Sequence, residues 1–201
     1  MRVIAVFGGA FNPPLNSHFG FAEEIVNQYE NIEKIIFVPV SGRYDKQGLI
    51  SDEHRYNMLK LVCSKNPKFL VSRIEIDDDI HPYTVDTLET IKTEYPENEI
   101  WFITGTDNLK QLPRWHGAEL LLTEFKILVL QRDDDNIDKI IADNKLLNSH
   151  RESFVKLETN NDLQYYKSSY VRKLIGQGKP FKQYMPEEVY EYIEENNLYK
   201  M

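Results

Sequence analysis

Residues 8–18 read Gly-Gly-Ala-Phe-Asn-Pro-Pro-Leu-Asn-Ser-His, and this stretch decides the fold through what lies on either side of it. Residues 2–7 form a short apolar run that predicts a buried strand, and the apolar spacing in residues 19–29 predicts an amphipathic helix. A glycine pair between a strand and a helix lets the backbone turn and lets a ligand approach it closely. The N-terminal region therefore predicts a strand, a ligand-binding loop and a helix in succession.

Further features of this loop indicate that its ligand is an anion. Pro13 and Pro14 stiffen the loop, and Ser17 and His18 open the helix. Free backbone N–H groups and the positive end of the helix dipole then face the loop, where His18 can donate to a phosphate oxygen. An ordinary strand–helix turn with a surface histidine is the alternative. Two other phosphate-binding classes are excluded, since the chain contains neither GxxxxGK[ST] nor GxGxxG.

The rest of the chain repeats the alternation of strand and helix. Short apolar runs predict further strands at residues 34–40, 69–76, 100–104, 126–131 and 154–157. Helical patterns lie between and after them, at residues 51–63, 84–94, 136–147, 169–175 and 186–196. This alternation predicts the α/β class, with a Rossmann-like, mostly parallel sheet and helices on both faces. Ligands of such sheets bind beyond the carboxyl ends of the strands, where residues 8–18, 41–50 and 105–115 form loops.

Composition excludes several classes of partner. The chain has 201 residues, 41% of them hydrophobic, and a formal net charge of -8. An acidic surface repels nucleic acid and anionic lipid, so the sequence predicts small-molecule substrates and neither nucleic acid nor membrane as partner. Cys63, the only cysteine, precludes an internal disulfide and fits a reducing cytoplasm. The five histidines lack metal-ligand spacing, which predicts no protein-bound metal site, and the oligomeric state stays open.

Residues 8–18 also resemble the GG-[TS]-F-D-P-P-H-x-G-H signature of the bacterial nicotinate-nucleotide adenylyltransferases, a family of the HxGH nucleotidyltransferase superfamily. Other segments resemble further motifs of that family in the same order along the chain. Residues 82–88 resemble its YTxDTL segment, and residues 103–115 resemble its IGxDxxxxLxxW segment. Lys46 resembles the lysine of its P-H-K segment, and residues 168–172 resemble the later part of its ISSTxIR motif. The resemblance covers nearly the whole chain.

The resemblance implies a fold, an activity and a cofactor. It implies one nucleotidyltransferase-like domain over residues 1–201, in which a C-terminal helical part, about residues 160–201, completes the ATP site. The implied reaction transfers AMP from ATP to nicotinate mononucleotide and yields deamido-NAD and pyrophosphate, a step of NAD biosynthesis. Mg²⁺ is implied as the ion that accompanies ATP. Catalysis of this kind needs in-line placement and cationic donors around the α-phosphate more than covalent chemistry.

The resemblance also implies roles for particular residues. The implied catalytic residues are His18, Lys46 and Arg172. The implied ATP-binding residues are Gly8, Gly9, Ala10, Phe11, Ser17, His18, Ser168, Ser169 and Arg172. The implied residues for the pyridine nucleotide are Asn12, Lys46, Tyr83, Thr84, Gly105, Asp107 and Trp115.

The chemistry of these side chains agrees with the implied roles but also allows purely structural ones. The flat face of Trp115 suits a stacked pyridine, and the backbone N–H groups of Tyr83 and Thr84 suit the nicotinate carboxylate. A guanidinium such as Arg172 binds phosphate with two hydrogen bonds. Simple helix capping, a partly buried tryptophan and a solvated arginine are the alternatives.

The chain departs from the family signature at several positions. Leu15 stands in place of the first histidine of HxGH and Ser17 in place of its glycine. Asn12 replaces the aspartate before the proline pair, Lys167 replaces the first serine of ISSTxIR, and residues 44–45 read Tyr-Asp instead of Pro-His. Loss of one donor to the reacting phosphate typically costs about 3–4 kcal/mol of barrier. Two alternatives follow: a catalytically weakened nucleotide-binding paralogue with a regulatory role, or a transferase with another acceptor, such as phosphopantetheine or a sugar or polyol phosphate.

Overall fold

The computed structural model describes residues 1–43, 48–77, 82–131, 134–157 and 166–200. The strands are β1 Val3–Gly9, β2 Ile32–Pro39, β3 Phe69–Val71, β4 Glu99–Gly105, β5 Lys126–Leu130 and β6 Phe154–Lys156. The helices are α1 Asn16–Gln28, α2 Asp52–Cys63, α3 Thr84–Glu94, α4 Thr106–Leu109, α5 Ala118–Glu124, α6 Ile137–Ala142, α7 Lys145–Ser149, α8 Ser168–Gly176 and α9 Glu187–Glu195. Short 3₁₀ turns are Leu112–Arg114, Arg151–Ser153 and Lys182–Tyr184.

The strands form one six-stranded sheet in the order β3-β2-β1-β4-β5-β6. Every neighbouring pair is parallel, which confirms the predicted α/β sheet. The chain winds outward in one direction from β1 to β3 and in the other direction from β4 to β6. This reversal opens a crevice between the carboxyl ends of β1 and β4, the place where such sheets bind their ligands.

Both faces of the sheet are buried, as the alternating side chains of β1 show. Val3, Ala5 and Phe7 pack into an apolar cluster with α1 on one face. Ile4 and Val6 pack into a second cluster with α3 and α5 on the other face. Because successive side chains of a strand point to opposite faces, a continuous apolar run is what a sheet covered on both sides requires.

A third apolar cluster, which we call the C-terminal cluster, lies outside the sheet. It joins the start of α1 and the middle of α2 to α8 and α9, and its buried members are Leu15, Met58, Val171, Ile175, Phe181, Met185, Val189, Ile193 and Leu198. The cluster attaches the C-terminal helices to the two elements that flank the loop after β1. Across the described ranges, no helix is long and apolar enough to cross a membrane.

Several element boundaries differ from the predictions. The strand predicted at residues 69–76 ends at Val71, because the chain turns where Ile76 and Asp77 donate to the Arg73 carbonyl. The single helix predicted at residues 136–147 is two short helices, because the Asn144 side chain caps a new start. Helix α3, by contrast, spans the predicted residues 84–94, and Tyr83 is its N-cap residue.

The predicted start of α2 is confirmed. Ser51 Oγ accepts a hydrogen bond from the His54 N–H at 3.3 Å, as an N-cap side chain does. Asp52 and Glu53 follow in the first turn, where their negative charges interact favourably with the positive end of the helix dipole.

Candidate active site

Two cavities open beside the crevice between β1 and β4. The Trp115 cavity encloses about 390 Å³ and is bounded by Tyr83, Thr84, Phe102, Trp115 and His116. The Arg172 cavity encloses about 370 Å³ and is bounded by Phe11, His18, Asp107, Lys167, Ser169 and Arg172. Both are also lined by Gly8, Gly9, Ala10 and Asn108, so the two cavities adjoin at the loop after β1. Two ligands can therefore approach each other across one short stretch of backbone.

Close packing explains the two glycines between the cavities. A Cβ on Gly9 would lie 3.1 Å from the Phe11 ring, and one on Gly8 would lie 3.2 Å from the Phe102 ring. Phe11 itself has φ 45, in the left-handed region, and its ring meets Phe7 edge-on at 5.6 Å between centroids. The loop thus folds its aromatic side chain back onto the sheet and leaves its backbone facing the cavities.

His18 has a defined tautomer in this arrangement. Its Nδ1 accepts a hydrogen bond from the backbone N–H of Leu15 at 2.9 Å, so Nδ1 carries no proton. The ring proton of neutral His18 therefore sits on Nε2. The residue is 9% exposed and lines the Arg172 cavity, with its ring held edge-on against Phe11. This hydrogen bond stabilises the start of α1 and fixes the orientation of the imidazole.

The start of α8 and two cationic side chains give the Arg172 cavity its charge. Ser168 and Ser169 are the first residues of α8, where backbone N–H groups lack intrahelical acceptors. Among the described residues, Lys167 and Arg172 line the cavity together with one carboxylate, that of Asp107. The cavity thus gathers positive charge in a chain of net charge -8. This composition fits a polyanionic ligand.

Hydrogen bonds tie α8 to the loop after β1. Arg172 Nη1 donates to the Asn12 carbonyl at 2.7 Å, and Ser168 Oγ donates to the Pro13 carbonyl at 2.9 Å. The bond from Arg172 leaves other N–H groups of the guanidinium for a ligand, whereas the Ser168 hydroxyl gives its only proton to Pro13. These contacts bring the start of α8 next to the loop that follows β1.

The Asn12 side chain, which is 2% exposed, links three segments. Its Nδ2 donates to the Gly48 carbonyl at 2.8 Å, and its Oδ1 accepts from Tyr199 Oη at 2.8 Å and from the Ile50 N–H at 3.4 Å. Burial raises the pKa of the Tyr199 hydroxyl, which keeps it protonated as a donor. An aspartate, the residue of the family signature, has no proton to offer the Gly48 carbonyl. The asparagine therefore fits this chain's own contacts.

Arg55 is a residue to which the sequence analysis assigned no role in the site. It is 0% exposed, and its guanidinium donates to the carbonyls of Ala10 at 2.9 Å, Val40 at 2.5 Å and Ile50 at 3.3 Å. Asp52 pairs with the same group at 2.5 Å. The guanidinium therefore fixes the loop after β1 against the loop after β2. The available signal was an arginine on the apolar face of a helix, beside Met58 and Leu59.

Aromatic rings and the start of α3 shape the Trp115 cavity. Trp115 is partly buried and meets Phe102 edge-on at 6.2 Å, while Tyr83 and His116 stack at 4.1 Å. The Tyr83 N–H was predicted to donate to the nicotinate carboxylate. It donates instead to Asp86 Oδ2 at 2.9 Å, within the first turn of α3. The N–H of Thr84, the first residue of α3, lies in the turn that has no intrahelical acceptors.

Glu75 is the second residue that sequence reasoning missed. It lines the Trp115 cavity, is 8% exposed, and accepts a hydrogen bond from Thr87 Oγ1 at 3.0 Å. Burial raises the pKa of this carboxyl to about 7, although the Thr87 hydroxyl and the charge of Arg55 act in the opposite direction. A glutamate inside the apolar run of residues 69–76 was the available signal.

The remaining predicted site residues line neither cavity, line the other cavity, or lie outside the described residues. Ser17 is 4% exposed and lines neither cavity, and its Oγ has no hydrogen-bond partner among the described residues. Asn12 and Asp107, predicted for the pyridine nucleotide, line the Arg172 cavity instead. Gly105 is the last residue of β4 and lines neither cavity. Lys46 lies outside the described residues.

Leu15 does not face either cavity. It is the N-cap residue of α1, is 0% exposed, and packs in the C-terminal cluster with Met58 and Val171. Leu15, which stands at the position of the first signature histidine, therefore helps to hold the C-terminal helices against the rest of the protein. Across the described ranges, no three His, Cys, Asp or Glu side chains gather as a group that could hold a metal ion.

Comparisons with known proteins agree on one family. The model of the family described as "Cytidylyltransferase-like" matches residues 6–174. A probable nicotinate-nucleotide adenylyltransferase of Carboxydothermus hydrogenoformans is 36% identical over 98% of each chain. The nicotinate-nucleotide adenylyltransferase of Bacillus subtilis is 29% identical over 100% of each chain.

Solved structures share the fold. The nicotinic acid mononucleotide adenylyltransferase of Plasmodium falciparum, complexed with NaAD, superimposes with a TM-score of 0.78 over 99% of this chain and 98% of that one. Sequence identity between the two is 22%. A second structure of that protein, complexed with APC, has a TM-score of 0.75 at 20% identity and the same coverage.

Proposed function

The chain belongs to the nicotinate-nucleotide adenylyltransferases of the cytidylyltransferase-like family, and on that basis we propose that it transfers AMP from ATP to nicotinate mononucleotide. The products are deamido-NAD and pyrophosphate, and the reaction is a step of NAD biosynthesis. The observation that carries the proposal is the pair of adjoining cavities, one cationic and one aromatic, on either side of Gly8–Ala10. A reaction between a triphosphate and a pyridine nucleotide needs a cationic site for the phosphates and an aromatic site for the pyridine ring, placed side by side.

The Arg172 cavity is the proposed site of ATP. Arg172, Lys167 and the N–H groups at the start of α8 hold the β- and γ-phosphates, which leave as pyrophosphate. The hydrogen bonds from Arg172 and Ser168 to residues 12–13 support the proposal that the C-terminal helical part completes this site. Mg²⁺ is the proposed companion of ATP. Asp107 is the carboxylate of this cavity that could contact the ion, whose other ligands would be phosphate oxygens and water.

The Trp115 cavity is the proposed site of the pyridine nucleotide. The indole of Trp115 offers its face to the ring, and the N–H of Thr84 offers one hydrogen bond to the ring carboxylate. The acceptor phosphate then points toward Gly8–Ala10, the backbone that both cavities share. In this pose the two reacting phosphates meet at the loop after β1.

The proposed chemistry is a single in-line displacement. A phosphate oxygen of the mononucleotide attacks the α-phosphorus, a new P–O bond forms, and the bond from the α-phosphorus to the bridging oxygen of pyrophosphate breaks. His18 Nε2–H donates to a non-bridging oxygen of the α-phosphate, where charge changes during the step. Lys46 remains the predicted second cation at this phosphate. The buried, unpaired thiol of Cys63 supports a cytoplasmic setting for the reaction.

Pyrophosphate release with a panel of acceptors tests the proposal. With ATP and Mg²⁺, we expect turnover with nicotinate mononucleotide and a kcat/KM roughly 10²-fold or more above that with phosphopantetheine, which has no ring for Trp115. Nicotinamide mononucleotide and a polyol phosphate complete the panel. Preference for phosphopantetheine or the polyol phosphate would contradict the proposed acceptor. ATP binding without pyrophosphate release from any acceptor would favour the regulatory paralogue.

One observation favours that second candidate, a regulatory nucleotide-binding protein. Leu15 occupies the position of a signature histidine, and its side chain is buried in the C-terminal cluster. The chain therefore offers no phosphate donor at that position. The candidate differs from the enzyme in turnover but not in ATP binding, so the acceptor panel separates the two.

Substitution of Leu15 by histidine tests whether the missing donor can be restored. We expect no rate gain and a loss of roughly 2–4 kcal/mol of unfolding free energy, since a polar ring replaces a fully buried leucine. Thermal unfolding and pyrophosphate release measure the two effects. The matched control is Asn16→His at the exposed neighbouring position. A rate gain of tenfold or more in L15H would contradict the buried orientation and show that the native site is impaired.

A further inference from the structure

Glu75 is a buried acid that the proposed chemistry does not use. The residue is 8% exposed, yet its carboxyl belongs to the wall of the Trp115 cavity. One carboxyl oxygen, Oε1, accepts from Thr87 Oγ1 at 3.0 Å. Burial raises the pKa of Glu75 to about 7, so the group exchanges its proton near neutral pH. A ligand in this cavity therefore meets either a hydrogen-bond donor or a negative charge.

One of the two backbone donors predicted for the substituent on the pyridine ring is already engaged. The Tyr83 N–H is engaged with Asp86 Oδ2 at 2.9 Å. The Thr84 N–H can supply one hydrogen bond, but a carboxylate has two oxygens and accepts more. A neutral Glu75 has a proton to give, since Oε1 is occupied as the acceptor from Thr87 and the proton can sit on Oε2. It can therefore supply a second donor.

On the basis of the proposed function, we propose that Glu75 sets the choice between the acid and amide forms of the pyridine nucleotide. In its neutral form, Oε2–H donates to the carboxylate of nicotinate mononucleotide. In its ionised form, the carboxylate repels that group and accepts from the carboxamide NH₂ of nicotinamide mononucleotide. One side chain thereby makes the substrate preference depend on pH.

Polar and charged groups on several elements lie near Glu75, and two of them act on its pKa. Arg55 on α2 favours the ionised form through its charge, and the Thr87 hydroxyl on α3 favours it through the hydrogen bond. Arg114 and His116, which follow β4 and α4, line the same cavity. Asp86 lies near Tyr83 on α3 and is a second negative group in this region. The Thr87 hydroxyl and the charge of Arg55 limit the upward effect of burial on the pKa of Glu75 but do not reverse it.

The sign of the pH effect follows from these states. Below a pH of about 7 the carboxyl is neutral and nicotinate mononucleotide is preferred. As pH rises from about 6 to about 8, the neutral fraction falls roughly tenfold, and the ratio of kcat/KM for the acid over the amide form falls by at least as much. Both substrates carry the same phosphate, so its own titration cancels in the ratio.

The test compares three variants with both nucleotides between about pH 6 and about pH 8. In wild type the acid-to-amide ratio of kcat/KM falls by roughly tenfold or more. In Glu75→Gln the ratio stays flat and above the wild-type value at about pH 8, because the Gln amide accepts from Thr87 and donates permanently. Thr87→Val removes the hydrogen bond that favours the ionised form, so the midpoint of the wild-type fall moves to higher pH. Glu24→Gln, in α1 and outside the cavity, is the matched control and keeps the wild-type slope.

The outcomes separate this inference from the proposed function. Turnover of nicotinate mononucleotide with a ratio that does not change with pH, or with the wild-type slope kept in E75Q, overturns the role of Glu75 and leaves the function intact. Absence of turnover with both pyridine nucleotides overturns the function and this inference together. If E75Q does not fold, Thr87→Val still decides the question. A pH midpoint of the acid-to-amide ratio that does not move in this variant also overturns the role of Glu75.

Discussion

Replacement of His18 by asparagine is expected to lower the kcat of pyrophosphate release by roughly 10²- to 10³-fold, the loss typical when one preorganised donor to a reacting oxygen is removed. The asparagine Oδ1 lies near the position of the histidine Nδ1, so it can still accept the Leu15 N–H. What the variant loses is the donor at the Nε2 position. Stopped-time assays of pyrophosphate release with ATP and nicotinate mononucleotide measure the change.

Glutamine at the same position is the matched comparison. Its amide nitrogen reaches the place of Nε2 and can donate to the phosphate, whereas the contact with the Leu15 N–H is lost. We expect His18→Gln to keep more of the kcat than His18→Asn, and to lose about 1 kcal/mol of stability through the weakened helix start. The reverse order of the two rates would show that the cap, and not the Nε2–H donor, is what the reaction needs.

The order of these two variants depends on contacts that the sequence did not reveal. The strand, loop and helix of residues 2–29 were predictable, because an apolar run, a glycine pair and a helical period are all local signals. The same local signals predicted the parallel sheet and the cleft. The hydrogen bond from the Leu15 N–H to His18 fixes the tautomer, and it arises only once the helix start has formed.

Other parts of the site were not predictable for a related reason. Leu15 was identified as a substituted position, but its direction depends on α8 and α9, whose residues are far away in the chain. Glu75 was placed in a strand that ends early, and its burial results from α3 packing over it. Hydrophobic periodicity locates elements, whereas the surroundings of a polar side chain depend on which elements meet.

Arg55→Met removes the group that joins the loops after β1 and β2, and it is expected to destabilise the protein by roughly 3–5 kcal/mol. Methionine has a similar length but no donors, so the carbonyls of Ala10, Val40 and Ile50 lose their buried partner. Each carbonyl left unpaired in this partly buried site costs up to about 1–3 kcal/mol before the loops relax. For a chain of this size, the melting temperature should fall by roughly 6–20 °C.

Arg2→Met is the control for the loss of one arginine. Its side chain is 78% exposed and forms a single ion pair with Glu33 at 3.4 Å, which is worth at most about 1 kcal/mol. Arg55→Lys should fall between wild type and Arg55→Met, since an ammonium keeps the charge but cannot span the separate carbonyls. Turnover should fall in the same order as stability, because Ala10 lies where the two cavities adjoin. An Arg55→Met protein that melts within 2 °C or so of wild type would mean that the loops hold their positions without the guanidinium.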